Sequence, residues 1–245
     1  MSNLKNFPEI TIGTDPEVFL RHKFTRDFIS AHGKFPGTKE KPFKLSRGAM
    51  QVDGHALEFN TDPAKTEDEF VDVVNHVFNQ VKAYVEAVDP MLEIALEPVA
   101  RFQAEYFDFL PIESKMLGCI PDFSALTGKQ LEAPEIANMP LRTGSGHIHI
   151  GWSKGDDPFD EREFKRRFVI ANRVTPYLLE AAKKWETTES TIRRVYYGRE
   201  GAFRPKPYGV ELRALDNLWL KNDETIRQVF RTTKEAFERE FDHAL

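Results

Sequence analysis

Four short segments alternate apolar and polar residues with a period of two: TDPEVFL (14–20), HALEFN (55–60), HIHIGW (147–152) and GVELRAL (209–215). A β-strand points successive side chains to opposite faces. Asp15 and Glu17 therefore share a face opposite Val18 and Leu20, and Glu58 and Asn60 oppose Leu57 and Phe59. His147 and His149 oppose Ile148 and Ile150, while Glu211 and Arg213 oppose Val210, Leu212 and Ala214. A chain with this pattern needs a sheet whose one face is buried against a core and whose other face is polar.

What covers the apolar face is legible as helices. Thr66 to Val88 opens with a Thr66/Glu69 capping box and carries Phe70, Val73, Val77, Val81 and Val85 on one stripe. Residues 160–185 repeat the pattern, with Pro176 expected to kink the helix. Residues 223–242 do so again, and a shorter helix is expected from Glu189 to Tyr197, stopped by Gly198. Further strands are expected at 9–13, 16–20, 49–52, 56–60 and 91–98. Residues 99–146 show no clear period and many turn-formers, among them Pro111, Gly118, Pro121, Pro134 and Pro140. So long a connection in a compact domain is usually functional, and its aromatic residues argue against disorder. Strands and amphipathic helices together predict one α+β domain over 1–245, with helices on one face of a largely antiparallel, curved sheet.

The polar face is unusual in its residue types. A solvated sheet face draws on Thr, Ser, Lys and Gln. This one collects Asp15, Glu17, Glu58, His147, His149 and Glu211, with no lysine among them. Clustered carboxylates raise one another's pKa unless a cation sits between them. Carboxylates with an imidazole suit magnesium or manganese. Asp53 lies close enough in sequence to join the set, and His55 is a weaker candidate, since its turn position points to a surface histidine.

Arginine is the second ingredient. Residues 191–217 hold Arg193, Arg194, Arg199, Arg204 and Arg213, with Lys206, among glycines and aromatics. Arg213 shares its strand face with Glu211, so a guanidinium is expected beside the acidic cluster. Planar guanidinium groups grip phosphate oxygens by paired hydrogen bonds. No GxxxxGK[ST] loop is present, and Gly144-Ser145-Gly146 precedes a strand rather than a helix, so it is not a dinucleotide fingerprint.

The formal net charge of −5 gives no reason to expect a broad nucleic-acid surface. A single cysteine, Cys119, excludes an internal disulfide and suits a reducing compartment. With no leader-like or membrane-length apolar run, the expectation is a cytosolic protein.

The motif GSGHIHIG resembles the Gly-x-Gly-x-His-x-His signature of the glutamine synthetase superfamily. PEVFL resembles its first metal-binding strand and VELRALD its late Glu-x-Arg-x-x-Asp strand. The ordered set TDPEVFL, DGHALEFN, GCIPDFSA, LRTGSGHIHIGW and RRVYYGREGAFRPKPYGVELRALDNLWL resembles more closely the phage-type carboxylate–amine ligases, from about residue 10 to 220. The resemblance implies a glutamine synthetase-like catalytic domain, ATP and Mg2+ or Mn2+ as cofactors, and the host cytoplasm as location if the chain is phage-encoded. It implies metal ligands at Asp15, Glu17, Asp53, Glu58, His147 and Glu211. Arg193, Arg194, Arg204 and Arg213 would hold ATP, with Arg213, Arg204 and Glu58 serving catalysis. His149, Arg142 and Asn60 would meet substrate, and residues 99–146 would close over it. The implied reaction is ATP-dependent amide formation between a small-molecule or peptide carboxylate and an amine. The chain lacks the separate N-terminal domain that helps glutamine synthetase complete its ammonium site, so ammonia is not the expected amine. Arg199 and Glu200 stand where relatives carry Lys and Ala, and Arg199 is given no role. The same face would also serve a kinase acting on a small carboxylate or guanidino substrate, or an ATP-independent metal hydrolase. Homo-oligomerisation is left open by the sequence.

Overall fold

Asp15-Pro16 divides one extended run into two strands that belong to different sheets, and the rest of the molecule is arranged around that division. The computed structural model describes residues 8–115, 122–132, 136 and 138–241. Before the first helix lie β1 (Thr11–Thr14), β2 (Glu17–His22), β3 (Phe28–Ile29), β4 (Phe43–Leu45), β5 (Gly48–Asp53) and β6 (Ala56–Thr61). Helix α1 (Glu67–Val88) is followed by β7 (Leu92–Ala95), β8 (Val99–Arg101), α2 (Ala104–Phe109), α3 (Ile112–Lys115), β9 (Phe123–Ser124), β10 (Leu141–Thr143) and β11 (Ile148–Gly151). Then come α4 (Glu161–Ala182), α5 (Thr188–Tyr196), β12 (Ala202–Lys206), β13 (Gly209–Leu212), a 3-10 turn over Asn217–Lys221 and α6 (Asp223–Glu240).

One sheet runs β1-β11-β13-β12-β9 and another β3-β2-β6-β5-β4, with β7 also on β2 and a separate β10-β8 pair. Among the described residues every strand pairing is antiparallel. The sheets are stitched where β1 passes into β2: Ile12 bridges Ala64 beyond β6, and Phe59 N donates to Pro16 O at 3.1 Å. Pro16 has no N–H to give a ladder, which suits it to this break. The result is an α+β fold on a curved antiparallel sheet.

The apolar face is as the alternation requires. Val18, Leu20, Leu57, Phe59, Ile148, Ile150, Val210 and Leu212 are all buried in one core. Facing them are Phe70, Val74 and Val77 of α1, Ile170 and Val174 of α4, and Phe230 and Phe237 of α6. The N-terminus of α1 is capped as expected by Thr66, whose hydroxyl accepts from Glu69 N, while Glu69 Oε2 takes Lys65 N–H one residue earlier than a capping box would. Pro176 lies inside α4.

Two expectations need correction. Residues 99–146 are not without regular structure, since β8, α2, α3, β9 and β10 all fall there. These elements are two to six residues long, too short for a period to declare itself. Strand β12 was hidden by Pro205. Proline is tolerated there because β9 pairs only with Ala202 and Phe203. Gly118, Cys119, Pro121 and Pro134 lie outside the described residues, as does the end of the expected last helix at 242.

Candidate metal and substrate site

The centre of the polar face is buried, although Asp53 at its edge is exposed. Glu211 is 0% exposed, His147 3% and Arg213 4%. A cavity of about 500 Å³, within the usual range of small-molecule sites, opens over the face, with Asp122, Gln130, Leu131, Glu132 and Ile136 also on its wall.

Two acidic trios stand in that region, and the strand break separates them. Asp15, His147 and Glu211 belong to the β1-side sheet, while Glu17, Asp53 and Glu58 belong to the β2-side sheet. Within each trio the ligand atoms lie within 4.8 Å of one another. Because Asp15 and Glu17 are two residues apart on an extended chain, one short segment supplies a carboxylate to each.

Local sequence explains the placement. Glu17 pairs directly with Glu58 across β2–β6, and Gln51 with Glu58 across β5–β6. Gln51 Nε2 donates to Glu58 Oε2 at 3.0 Å. His149 and Arg204 flank Glu211 on the strands either side. The Gly-Ser-Gly run packs the loop before β11 tightly onto Glu17. Ser145 N donates to Glu17 Oε2 at 3.0 Å, and Glu17 N to Ser145 O at 2.8 Å. A Cβ on Gly144 would meet Asn217 Nδ2 and Glu97 O at 2.7 Å, and one on Gly146 would run into Asp216 O and Trp219 Nε1. Only glycine fits either position.

The electrostatics differ between the trios. Burial, then the Asp53 carboxylate, pushes Glu17 up to about 7, against Arg213 and Arg193. Burial and the neighbouring Asp15, Glu17 and Asp53 hold Glu58 well above the usual carboxylate range. In the first trio, burial alone would raise Asp15, but His149 and His147 outweigh it and hold it well below. Burial and Arg213 push His147 down to about 4, leaving a neutral imidazole at ordinary pH. Protein cations surround Glu211: Arg213 Nη1 contacts Oε1, Lys206 Nζ is 2.7 Å from Oε2, and Arg204 Nη1 is 3.6 Å from Oε1.

These residues fit hard divalent cations. Among the described residues, buried His147 Nε2 has no hydrogen-bond partner, so a lone pair is left over that a metal could use. Carboxylate oxygens with one neutral imidazole are suitable ligands for Mg2+ or Mn2+. Like charges directly opposite on a sheet are destabilising, and a cation between Glu17, Asp53 and Glu58 would relieve that.

The expected site residues divide accordingly. Asp15, Glu17, Asp53, Glu58 and His147 line the cavity, with Glu211 directly behind His147 at 3.5 Å. Arg204 and Arg213 line it too, joined by Asp122, which takes Arg204 Nη2 at 2.9 Å and Arg213 Nε at 3.0 Å. Asn60 and Arg142 are on the wall, but Arg142 gives Nη1 to the carbonyls of Ile136, Met139 and Leu141 and Nη2 to that of Lys115. His149 faces sideways, with Nε2 2.8 Å from Asp15 Oδ1 and Nδ1 on the Tyr208 hydroxyl. Arg193 and Arg194 are not on the wall. Arg193 is fully buried, gives its guanidinium to Ala214 O, Arg213 O and Ser145 Oγ, and burial lowers it to about 10. Arg194 pairs with both oxygens of Glu186.

Sequence reasoning gave no role to Asp122, Gln51 or Tyr197, all on the wall. Gln51 had a signal, since it shares the period-two face of Asp53. Asp122 had none beyond its motif, because its placement depends on the two-residue pairing of β9 with β12. His55 is corrected outright: it is 1% exposed, not a surface residue. Ala31 N donates to His55 O, and the ring packs on Phe102 and Phe107. In comparisons with known proteins, no family model and no curated sequence matches the chain.

Proposed function

We propose that this chain is an ATP-dependent carboxylate–amine ligase, built on a glutamine synthetase-like catalytic domain and working through an acyl-phosphate. The observation that carries the reading is the pair of acidic trios meeting at Asp15-Pro16-Glu17, with Arg204 and Arg213 on the same cavity wall. The ordered motif resemblance supports it independently.

In this reading Asp15, His147 and Glu211, and Glu17, Asp53 and Glu58, would hold divalent cations, which would supply positive charge to the phosphoryl oxygens of ATP. Arg213 and Arg204, fixed by Asp122, face the transferring group and stabilise its charge without having to reorganise. A substrate carboxylate oxygen attacks the γ-phosphorus, the bond to the β–γ bridging oxygen breaks, and ADP leaves with that electron pair. The amine nitrogen then attacks the acyl carbon, phosphate leaves, and the nitrogen gives up a proton. Glu58 stands on the cavity wall and, as a carboxylate with a cation beside it, would receive that proton. Asn60 and Arg142 stand on the wall where the acid would lie. Gln130, Leu131, Glu132 and Ile136, on the same wall, would help to keep out water that would hydrolyse the intermediate.

The test is a hydroxamate assay with ATP, Mg2+, hydroxylamine and a panel of carboxylic acids. Hydroxamate matched by ADP supports the ligase. Phosphorylated product that persists with amine present would favour a kinase, and turnover without ATP a metal hydrolase.

A further inference from the structure

The resemblance would put His149 against substrate, but neither it nor Tyr208 is among the described residues that line the cavity. Strand register sets His149 between Gly13 on β1 and Glu211 on β13. From there its Nε2 stands 2.8 Å from Asp15 Oδ1, and the side chain is only 16% exposed. The other ring nitrogen, Nδ1, meets the Tyr208 hydroxyl. Asp15 Oδ1 also lies 3.2 Å from His147 Nδ1, so both histidines of the motif converge on one carboxylate oxygen.

Tyr208 is held in place for this contact. It sits in the turn between β12 and β13, where its carbonyl accepts Trp152 N–H at 2.9 Å and Ser153 N–H at 3.0 Å. A Cβ on the next residue, Gly209, would run into Ile150 O, so the turn lies flush against β11, the strand that carries His149. An unprotonated Nε2 would set a lone pair against the Asp15 carboxylate, which places a ring proton on Nε2. A phenol O–H can donate to the free Nδ1. The bonding then runs in one direction, from tyrosine to imidazole to carboxylate.

We infer that His149 is a positioning residue for Asp15, and that Tyr208 orients His149, so that a Tyr-His-Asp chain fixes the carboxylate with which the first trio would hold its cation. Contacts of this outer kind set a ligand's orientation and basicity. The inference rests on reading that trio as the metal site of the proposed ligase.

The experiment follows free Mn2+ by electron paramagnetic resonance, without ATP, in a Glu58→Gln background that leaves the first trio to be read alone. His149→Gln keeps an amide N–H at the Nε2 position, His149→Asn moves it to the Nδ1 position, and Tyr208→Phe removes the hydroxyl. His149→Asn should weaken Mn2+ binding by about 10- to 100-fold, and His149→Gln should keep most of the affinity. Tyr208→Phe should weaken it by about two- to tenfold. In a Glu211→Gln background, where the second trio is read alone, all three should bind Mn2+ as their parent does. A histidine that merely braced the sheet would loosen both sites alike, and that result overturns the inference. Equal affinity in His149→Gln and His149→Asn overturns it too, as does unchanged affinity in Tyr208→Phe or a first trio that takes up no Mn2+. Tyr208→Phe alters one oxygen on a turn, so it keeps the test decisive if His149→Asn does not fold. Failure of the ligase reading shows separately, as Mn2+ binding that follows this pattern with no ATP-dependent product.

Discussion

Glu17 and Glu58 face each other across neighbouring antiparallel strands, with Asp53 within ligand reach of both. Burial, then Asp53, pushes the Glu17 carboxyl up to about 7 from an ordinary 4.5. A carboxyl raised in the folded state contributes stability that is fully present below the unfolded value and lost as pH rises through the folded one. In chelator, the metal-free protein should therefore lose this contribution between about pH 4.5 and 7. The Glu17→Gln variant removes the penalty, so its melting temperature relative to wild type should rise across that window. A difference that stays flat from pH 5 to 7.5 would refute the assignment.

Glu211 should behave in the opposite way. Its carboxylate is fully buried against Arg213 and Lys206. Removing one partner of a buried pair leaves uncompensated charge and costs about 3–5 kcal/mol, somewhat less here because Lys206 is partly exposed. Urea unfolding of Glu211→Gln should show a loss on the order of 3 kcal/mol. Adding Lys206→Met should return part of it. No loss in the single variant would mean that Glu211 is not the charge partner proposed.

Asp122 fixes the orientation of Arg204 and Arg213 without itself belonging to either trio. Asp122→Asn should lower the melting temperature, since it takes a buried charge partner from Arg204 and Arg213. It should also lower kcat/KM for ATP in the folded protein by about 10²-fold, the scale of an orientation loss. Steady-state kinetics by ADP release would decide it, and an unaltered value would show that the arginines hold position unaided.

Gly146→Ala offers a test that is purely steric. The added Cβ would collide with Asp216 O and Trp219 Nε1, and overpacking of this kind costs about 1–3 kcal/mol or more. A melting temperature equal to wild type would mean that the loop before β11 can shift freely.

How much of this was legible in the sequence differs by element. The alternation in HIHIGW and GVELRAL sets Ile148, Ile150, Val210 and Leu212 into the core and leaves His147 and Glu211 on the other face, as found. Long periods also placed α1, α4 and α6. Two strands cannot reveal their partners, so the division of the carboxylates by Asp15-Pro16 appears only with the pairing of β1 and β2. Arginine is harder still, because its role depends on which way a long side chain turns. Arg213 and Arg193 are both buried, yet one lines the cavity and the other ties down backbone carbonyls. His55 was misjudged because a turn in sequence need not be a turn at the surface. Here α2 covers it with Phe107.

Everything functional in this reading depends on the two trios holding divalent cations, and a Mn2+ titration tests that before any substrate is known. Free Mn2+ followed by electron paramagnetic resonance should show two ions bound per wild-type chain. Glu58→Gln should remove one and Glu211→Gln the other, each weakening its own site by about 10- to 100-fold. Wild-type protein that binds no Mn2+ at millimolar concentration would contradict the site, and so would binding left unchanged in both variants.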